Sequence, residues 1–462
     1  MPQIAVIILA AGEGTRMKSD IPKVLHPVAG YPLIAYPLNL CRQLHLKSVI
    51  LVIGKKNEAV RKAVIGMGAK GIRFAIQHPP LGTAHAVQMG LKALAKFDGD
   101  LLILCGDMPL LKRSTLENLI WAHREKRAVL TFVTSVLQNP FGYGRILRTS
   151  RGEVCGIVEE KDADDNQRKI SEINTGVYLV NSAFLREKLA QIENKNVKKE
   201  YYLTDLVSLA FHEQKPMTTV LTDDPSEGLG VNTQKDLTGV NELVNKERIG
   251  ALMGRGVRFS SFENVIVDAG VSVGTGTSID APVSLTGKTA IGKNCRIEPG
   301  VIIRDSVIGN DVTIKASSYI EGGIVESNAK IGPFAHLRSG AHIGPKAKVG
   351  NFVEVKKSRI GEGSKVNHLS YIGDARIGKA VNVGAGTITC NYDGFNKFQT
   401  VLEDGVFVGS DTQFVAPVCI GKGAVIGAGS TITKNVKPKS LALTRAPQVE
   451  IKNWASRRNK KK

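Results

Sequence analysis

From about Val265 to Val436 a branched aliphatic residue returns every sixth position. Its cleanest runs are Val267, Val273, Ile279, Leu285, Ile291, Ile297 and, later, Val408, Phe414, Ile420, Ile426, Ile432. Gly often follows the aliphatic residue, as in Ile291-Gly292, Ile308-Gly309, Ile331-Gly332, Ile343-Gly344 and Ile420-Gly421. A period of six suits neither a helix nor a plain strand. It suits a coil of short flat faces, each turning one aliphatic side chain inward, which is the pattern of a parallel β-helix. The count shortens to five at Ile297 to Ile302, Ile320 to Val325, Val355 to Ile360 and Ile372 to Ile377. It breaks from Thr387 to Val406, where Thr389-Cys390-Asn391-Tyr392-Asp393-Gly394 predicts a loop thrown out of the solenoid, and such insertions are where function collects.

The first half reads differently. Ile4-Ala5-Val6-Ile7-Ile8-Leu9 and Leu101-Leu102-Ile103-Leu104-Cys105 are continuous apolar runs, as expected of central parallel strands covered on both faces. Between the halves, Thr233 followed by Asp236 predicts a capped helix start. Leu237, Val240, Val244 and Leu252 then fall roughly on one face, so the helix runs to about Gly254. The expected division is therefore residues 1–232, a linker helix over 233–254, and a solenoid with its tail over 255–462.

Composition narrows the partners. A chain of 462 residues exceeds one ordinary core, and 42% hydrophobic content without a run of 18 apolar residues argues against integral membrane association. The start Met1-Pro2-Gln3-Ile4 lacks the features of a signal peptide, and a cytoplasmic protein is expected. The six cysteines are scattered without a Cys-x-x-Cys pair, which points to reduced thiols rather than disulfides or zinc. A formal net charge of +20 admits nucleic acid, anionic membrane or small anionic substrates. Aromatics are only 5% and do not interleave with basic stretches, so no nucleic acid is expected and phosphate-bearing ligands explain the excess better. The basic end Arg457-Arg458-Asn459-Lys460-Lys461-Lys462 is assigned no function.

Two strand ends carry candidate chemistry. After the first strand come Ala10-Ala11-Gly12-Glu13-Gly14-Thr15-Arg16-Met17, small residues that let the backbone approach a phosphate while Arg16 and Lys23 add positive charge. The turn has neither the third Gly of a dinucleotide fingerprint nor the Gly-Lys-Ser/Thr of a P-loop. The second apolar strand ends in Gly106-Asp107, and ligands of open α/β sheets sit at carboxyl ends of strands, so Asp107 is placed to hold Mg²⁺ against nucleotide phosphates. A helix cap or turn former is the competing reading of such an Asp.

The wider string Leu9-Ala10-Ala11-Gly12-Glu13-Gly14-Thr15-Arg16-Met17 with Pro22-Lys23-Val24-Leu25 resembles the sugar-phosphate nucleotidyltransferases. Gln77, Leu81-Gly82-Thr83-Ala84-His85-Ala86, Gly106-Asp107, Gly142-Tyr143-Gly144-Arg145, Ile157-Val158-Glu159, Glu172-Ile173-Asn174-Thr175-Gly176 and Gly230-Val231-Asn232 follow in the same order. With the hexads behind them, the whole chain resembles the bacterial bifunctional N-acetylglucosamine-1-phosphate uridyltransferases/glucosamine-1-phosphate acetyltransferases. That resemblance implies an α/β, Rossmann-like nucleotidyltransferase domain followed by a left-handed parallel β-helix of hexapeptide repeats. It implies a homotrimer with acetyltransferase sites between neighbouring subunits, and synthesis of UDP-N-acetylglucosamine for peptidoglycan and lipopolysaccharide. In the first half it implies that Leu9, Ala10, Ala11, Gly12 and Lys23 hold the nucleotide, Gln77, Gly82 and Thr83 read the uracil, and Gly144, Glu159 and Asn174 hold the sugar. Asp107 and Asn232 would bind Mg²⁺, and Arg16 and Lys23 would neutralise charge as UTP reacts. Cys105 stands where many relatives have Tyr.

In the second half the matching strings are Gly350-Asn351-Phe352-Val353-Glu354-Val355-Lys356-Lys357 and His368-Leu369-Ser370-Tyr371-Ile372-Gly373-Asp374. The resemblance implies that Arg338 and Lys356 bind the phosphate of glucosamine 1-phosphate and that Tyr371 and Asn382 orient its sugar. His368 would be the base, since a neutral imidazole is suited to taking the amine proton near neutrality. Ala385, Asn391, Tyr392, Ser410, Ala428 and Arg445 would line acetyl-CoA. The competing functions are a single-activity nucleotidyltransferase with a structural β-helix and a non-catalytic sensing protein of the same build. Loss of His368 with Asn391-Tyr392 would mark the former, loss of Arg16, Lys23 or Asp107 the latter, and all are present.

Overall fold

The structure is a computed structural model that describes residues 3–54, 58–68 and 71–458, so the basic end from Asn459 onward lies outside the described residues. It forms two compact units, Met1–Val244 and Asn245–Lys462.

The first unit is built on a twisted sheet. Its central path runs Met217–Leu221, Leu130–Val136, Glu172–Asn181, Asp100–Cys105, Ile4–Ala10, Ser48–Gly54, Ile72–Gln77. All neighbours are parallel except Glu172–Asn181, which runs against both strands beside it. The two apolar runs of the sequence are the middle of this sheet: Val6, Ile7, Ile8 and Leu101 to Leu104 are fully buried because helices cover both faces. The hairpin Arg145–Arg148 and Val154–Val158 joins the antiparallel strand through Arg145 and Ile173.

The second unit is a three-faced solenoid. Its strands stack into parallel faces of eleven, ten and nine strands among the described residues. Most coils spend 17 or 18 residues, as between Lys348 and Lys365 or between Lys330 and Lys348, and the coil that carries the insertion spends 25, as between Ala375 and Thr400. The inward aliphatics form one continuous core from Val265 to Ile432. One expected slip moves: Ile302 is 44% exposed and Ile303 is buried, so the shortened step is Ile303 to Ile308. Side chains alternate sides along a strand, and the inward ones at Val301–Arg304 are Val301 and Ile303. All four shortened steps then fall at one corner, where the chain passes from the ten-stranded to the nine-stranded face. The inserted loop leaves from that same corner. It is shorter than the sequence pattern predicts, because Ile388–Cys390 and Thr400–Leu402 are still rungs of the stack and only the residues between them leave it.

The helix Gln234–Met253 serves both units. Thr233 and Asp236 cap it reciprocally: Thr233 Oγ1 accepts from the Asp236 amide at 3.2 Å and Asp236 Oδ2 from the Thr233 amide at 2.9 Å. Its first half belongs to the first unit, where Asn241 Oδ1 accepts from the Ala29 amide at 2.8 Å. Its second half closes the start of the solenoid: Ile249 and Leu252 enter the core, and Asn245 bonds the strand Val265–Val267 at 2.6 and 2.9 Å.

Candidate functional site

In the first unit Leu9 and Cys105 are register partners, so the turn after Ala10 and the carboxylate of Asp107 leave from the same sheet edge. Gly14 has φ 61°, and a Cβ there would lie 2.9 Å from Lys23 Cβ, so only glycine lets the turn close on Lys23. The Lys23 ammonium donates to the Asp107 carboxylate and, at 3.2 Å, to Asn232 Oδ1. Arg16 donates to the same Asn232 oxygen at 3.0 Å. Four residues from three distant stretches thus meet at one point. Cys105 is half-buried beside it, and burial pushes its thiol up to about 12, which keeps it neutral and unreactive.

The presumed base and sugar residues are also assembled. Gln77 is buried and its Nε2 donates to the Gly82 carbonyl at 2.9 Å, leaving Oε1 for a ligand. Gly82 has φ 113°, and a Cβ on it would meet the Tyr201 carbonyl at 2.5 Å. Thr83 Oγ1 accepts from the Leu203 amide at 2.9 Å. The Gly144 carbonyl accepts from the Asn174 amide at 2.9 Å, and a Cβ on Gly144 would press on Ile157 Cγ2 at 3.0 Å and touch Glu159 Oε1 at 3.5 Å. Burial raises the Glu159 carboxyl above its ordinary range, with Lys198 and a hydrogen bond from Thr204 pulling it back. Tyr202, buried with its hydroxyl near Asp162 and Glu159, and Thr204 join this pocket without having been singled out in the sequence. A Tyr-x-Thr beside an acidic residue carries no general signal that would have flagged them.

In the solenoid, His368, Ala385, Ser410 and Ala428 take the same corner position in successive coils. Each coil hangs on the one below: the Gly386 amide bonds His368 O at 3.4 Å, the Asp411 amide Ala385 O at 2.7 Å, and the Gly429 amide Ser410 O at 2.8 Å. Gly384 and Gly409 permit this closeness, since a Cβ on either would sit within 2.5 Å of a backbone nitrogen in the next coil. Arg445 closes the column, with its Cδ 3.7 Å from where a Cβ on Gly429 would be. The His368 ring meets Asn351, Nδ1 to Oδ1 at 2.9 Å.

Around the ten-stranded face, Glu354 and Tyr371 are register partners, as are Lys356 and Gly373. Arg338 donates to Glu354 at 2.8 Å. The Tyr371 hydroxyl lies over Gly373, 2.4 Å from where a Cβ there would be. Lys397, on the inserted loop, is the main cause that lowers the Lys356 pKa, with Arg338 adding to it. Three cations therefore converge at one edge of this face. Lys397 was not predicted; a lysine in an insertion beside two predicted phosphate ligands was the available signal. Asn391 is buried and its amide donates to Asp374 at 2.5 Å, anchoring the loop, whereas Tyr392 is exposed. Asn382 points outward from the eleven-stranded face, so within one chain it is not brought to Tyr371.

The comparisons follow this division. The Nucleotidyl transferase family model matches residues 5–231, the Bacterial transferase hexapeptide (six repeats) model residues 399–434, and the GMPPB C-terminal domain model residues 261–341. The chain is 46% identical to the Bifunctional protein GlmU of Geotalea uraniireducens over 98% of this chain and 99% of that one. The chain belongs to the GlmU family. The GlmU proteins of Syntrophotalea carbinolica, 47% identical over 99% of this chain and 98% of that one, and of Carboxydothermus hydrogenoformans, 46% over 97% and 99%, extend the match. As a GlmU protein it is a bifunctional enzyme, a uridylyltransferase in its first half and an acetyltransferase of hexapeptide type in its second. The nucleotidyl transferase match holds Arg16, Lys23 and Asp107 and ends one residue before Asn232, and the hexapeptide match holds Ser410 and Ala428 of the corner column. Among the described residues no helix is long and apolar enough to cross a membrane.

Proposed function

We propose that the solenoid moves the acetyl group of acetyl-CoA onto the amine of glucosamine 1-phosphate, and that the first unit joins the product to UTP, giving UDP-N-acetylglucosamine and pyrophosphate. The convergence of Lys23, Asp107, Asn232 and Arg16 carries the uridyl half of this reading. There the sugar phosphate oxygen attacks the α-phosphorus of UTP, and no protein nucleophile is needed. Lys23 and Arg16 supply fixed positive charge to the phosphates, while Gln77 and Glu159 fix the two ends of the ligand.

Mg²⁺ fits this site. Asp107 and Asn232 direct two hard oxygens at one cation-sized position, now met by the Lys23 ammonium, and Mg²⁺ completes such a pair with waters and substrate phosphates. Among the described residues no group of three or more His, Cys, Asp or Glu gathers to hold an ion. Bound there, the ion would neutralise phosphate charge.

In the solenoid Arg338, Lys356 and Lys397 would hold the sugar phosphate against the ten-stranded face beside Tyr371. The corner column from His368 to Arg445 would receive acetyl-CoA; the amides of Gly384 and Gly386 bond neighbouring coils, and the N–H of Ala385 between them would face the charge that develops on the carbonyl oxygen. His368 would take the amine proton as nitrogen bonds to the thioester carbon.

Two observations support a homotrimer with the acetyl site shared between copies. Asn382 and Tyr371 lie on different faces, so both reach one sugar only from different chains. Below His368 the same corner carries Phe334, Phe352 and Leu369, all 51% or more exposed and all with positive φ. The two rings stack at 5.4 Å. A bulky left-handed ridge open to water is costly, and a second copy laid on it relieves the exposure. The six unpaired cysteines fit a reducing cytoplasm.

The test is to supply the purified protein with glucosamine 1-phosphate, acetyl-CoA, UTP and Mg²⁺ and follow free thiol and pyrophosphate separately. Both are expected. No free thiol from glucosamine 1-phosphate and acetyl-CoA, while supplied N-acetylglucosamine 1-phosphate still gives pyrophosphate, would overturn the acetyl half and leave a single-activity enzyme.

A further inference from the structure

We propose that Asn351 is the positioning residue of acetyl transfer: its side-chain carbonyl holds the Nδ1 hydrogen of His368 and so presents Nε2, unprotonated, to the sugar amine. The inference rests on His368 being the base. Asn351 and His368 are register partners one coil apart, 17 residues in sequence, so the stack itself sets their separation. The backbone repeats the link, the Leu369 amide donating to Asn351 O at 3.1 Å, and Ser370 Oγ donates to His368 O at 2.8 Å. The ring is thus fixed from one side while His368 stays exposed on the other.

The chemistry explains an amide at this place. In a neutral imidazole one nitrogen carries hydrogen and the other accepts, and the partner of the first decides which is which. When the amine nitrogen bonds to the thioester carbon, its proton passes to Nε2; when the carbon–sulfur bond breaks, Nε2–H returns that proton to the coenzyme A thiolate. Atoms and charge balance without another reactant. A carboxylate at position 351 would hold the same Nδ1 hydrogen but would favour the imidazolium, which cannot accept. The neutral amide fixes the tautomer without that charge. Asn351 touches neither substrate in this arrangement and acts through His368.

The full-length protein is compared with Asn351→Leu, Asn351→Asp and His368→Ala, with uridyl transfer on the same preparation as the control for folding. Asn351→Leu is expected to lower acetyl-transfer kcat about 10- to 100-fold, part of what general-base assistance is worth, with the KM for glucosamine 1-phosphate unchanged. Asn351→Asp is expected to keep most of kcat and to move the acidic limb of the pH–rate profile to higher pH. If His368→Ala retains acetyl transfer, the base reading itself fails. If His368→Ala is inactive but Asn351→Leu stays within about two-fold of the parent with an unmoved profile, only the positioning role falls. Asn351→Asp as inactive as Asn351→Leu would also overturn it, because Asn351 would then be donating to Nδ1. Should Asn351→Leu lower both activities together, Asn351→Asp alone decides.

Discussion

The carboxylate of Asp107 is bonded to an ammonium 84 residues away in sequence, and the Arg16 guanidinium stands beside that ammonium on the shared Asn232 oxygen. Removing the acid leaves Lys23 without its charged partner and removes an oxygen from the position suited to Mg²⁺. Asp107→Ala is expected to lose about 10²–10³-fold in uridyl transfer at fixed Mg²⁺, the scale of a lost electrostatic contact in a reacting site, with acetyl transfer within a few-fold of the parent. Pyrophosphate release that survives excess EDTA would sink the metal role. Asp205 gives a second, opposite case: burial, with Asp162 adding to it, raises its carboxyl to about 6. An unfolded Asp releases its proton near pH 3.9, so between about pH 4 and 6 the folded state keeps a proton that the unfolded state has lost. Stability therefore falls as pH rises through that window and stays lower above it. Asp205→Asn should melt at a higher temperature than the parent at pH 7 to 8, with the gain shrinking towards pH 4. A gain that is the same at every pH would contradict the assignment.

At the scale of elements, one corner of the coil does most of the work that distinguishes this solenoid. The shortened steps at Ile303, Ile320, Val355 and Ile372 and the insertion after Cys390 all fall where the ten-stranded face ends, so the loop that brings Lys397 to Lys356 grows from an already irregular edge. Packing fixes the faces, and the corner is free to vary. Lys397→Ala is expected to raise the KM for glucosamine 1-phosphate about 2- to 5-fold with kcat little changed, as for loss of one exposed charge contact to a dianion. It should also raise the Lys356 pKa, since Lys397 is the main group depressing it. An unchanged KM would remove Lys397 from the phosphate site. The hexad pattern predicted the faces and most of the inward positions. It misassigned Ile302 because two neighbouring isoleucines fit the period almost equally and only the pleat separates them.

Across the whole molecule, the division of the helix Gln234–Met253 sets where the halves can be parted. Asn245, Ile249 and Leu252 complete the first coil of the solenoid. A fragment from Gln234 to the end should trimerise and acetylate, whereas one starting at Arg255 exposes the apolar end of the core and should be markedly less stable, each buried aliphatic lost there being worth about 1.5–3 kcal/mol. Residues 1 to 254 should keep Asn232 and still release pyrophosphate. Equal melting temperatures for the two solenoid fragments would show that the helix end is dispensable. A solenoid fragment that acetylates at full rate as a monomer would refute a shared site.

Periodicity and motif spacing determined the two architectures, the capped helix between them and the chemical types at each candidate site, because these depend on local pattern: alternation of apolar faces, glycine where the chain must turn tightly, carboxylates at strand ends. Convergence was decided only in three dimensions. Lys23 reaches Asp107 and Asn232 because the segments that follow two neighbouring strands meet the start of the helix Gln234–Met253 at one edge of the sheet, and Asn351 reaches His368 because a coil of 17 residues returns the chain to the same corner. Neither Asn351 nor Lys397 looks unusual in the sequence. Each gains its place from a neighbour one coil or one loop away, a distance that the chain closes only when the core has stacked.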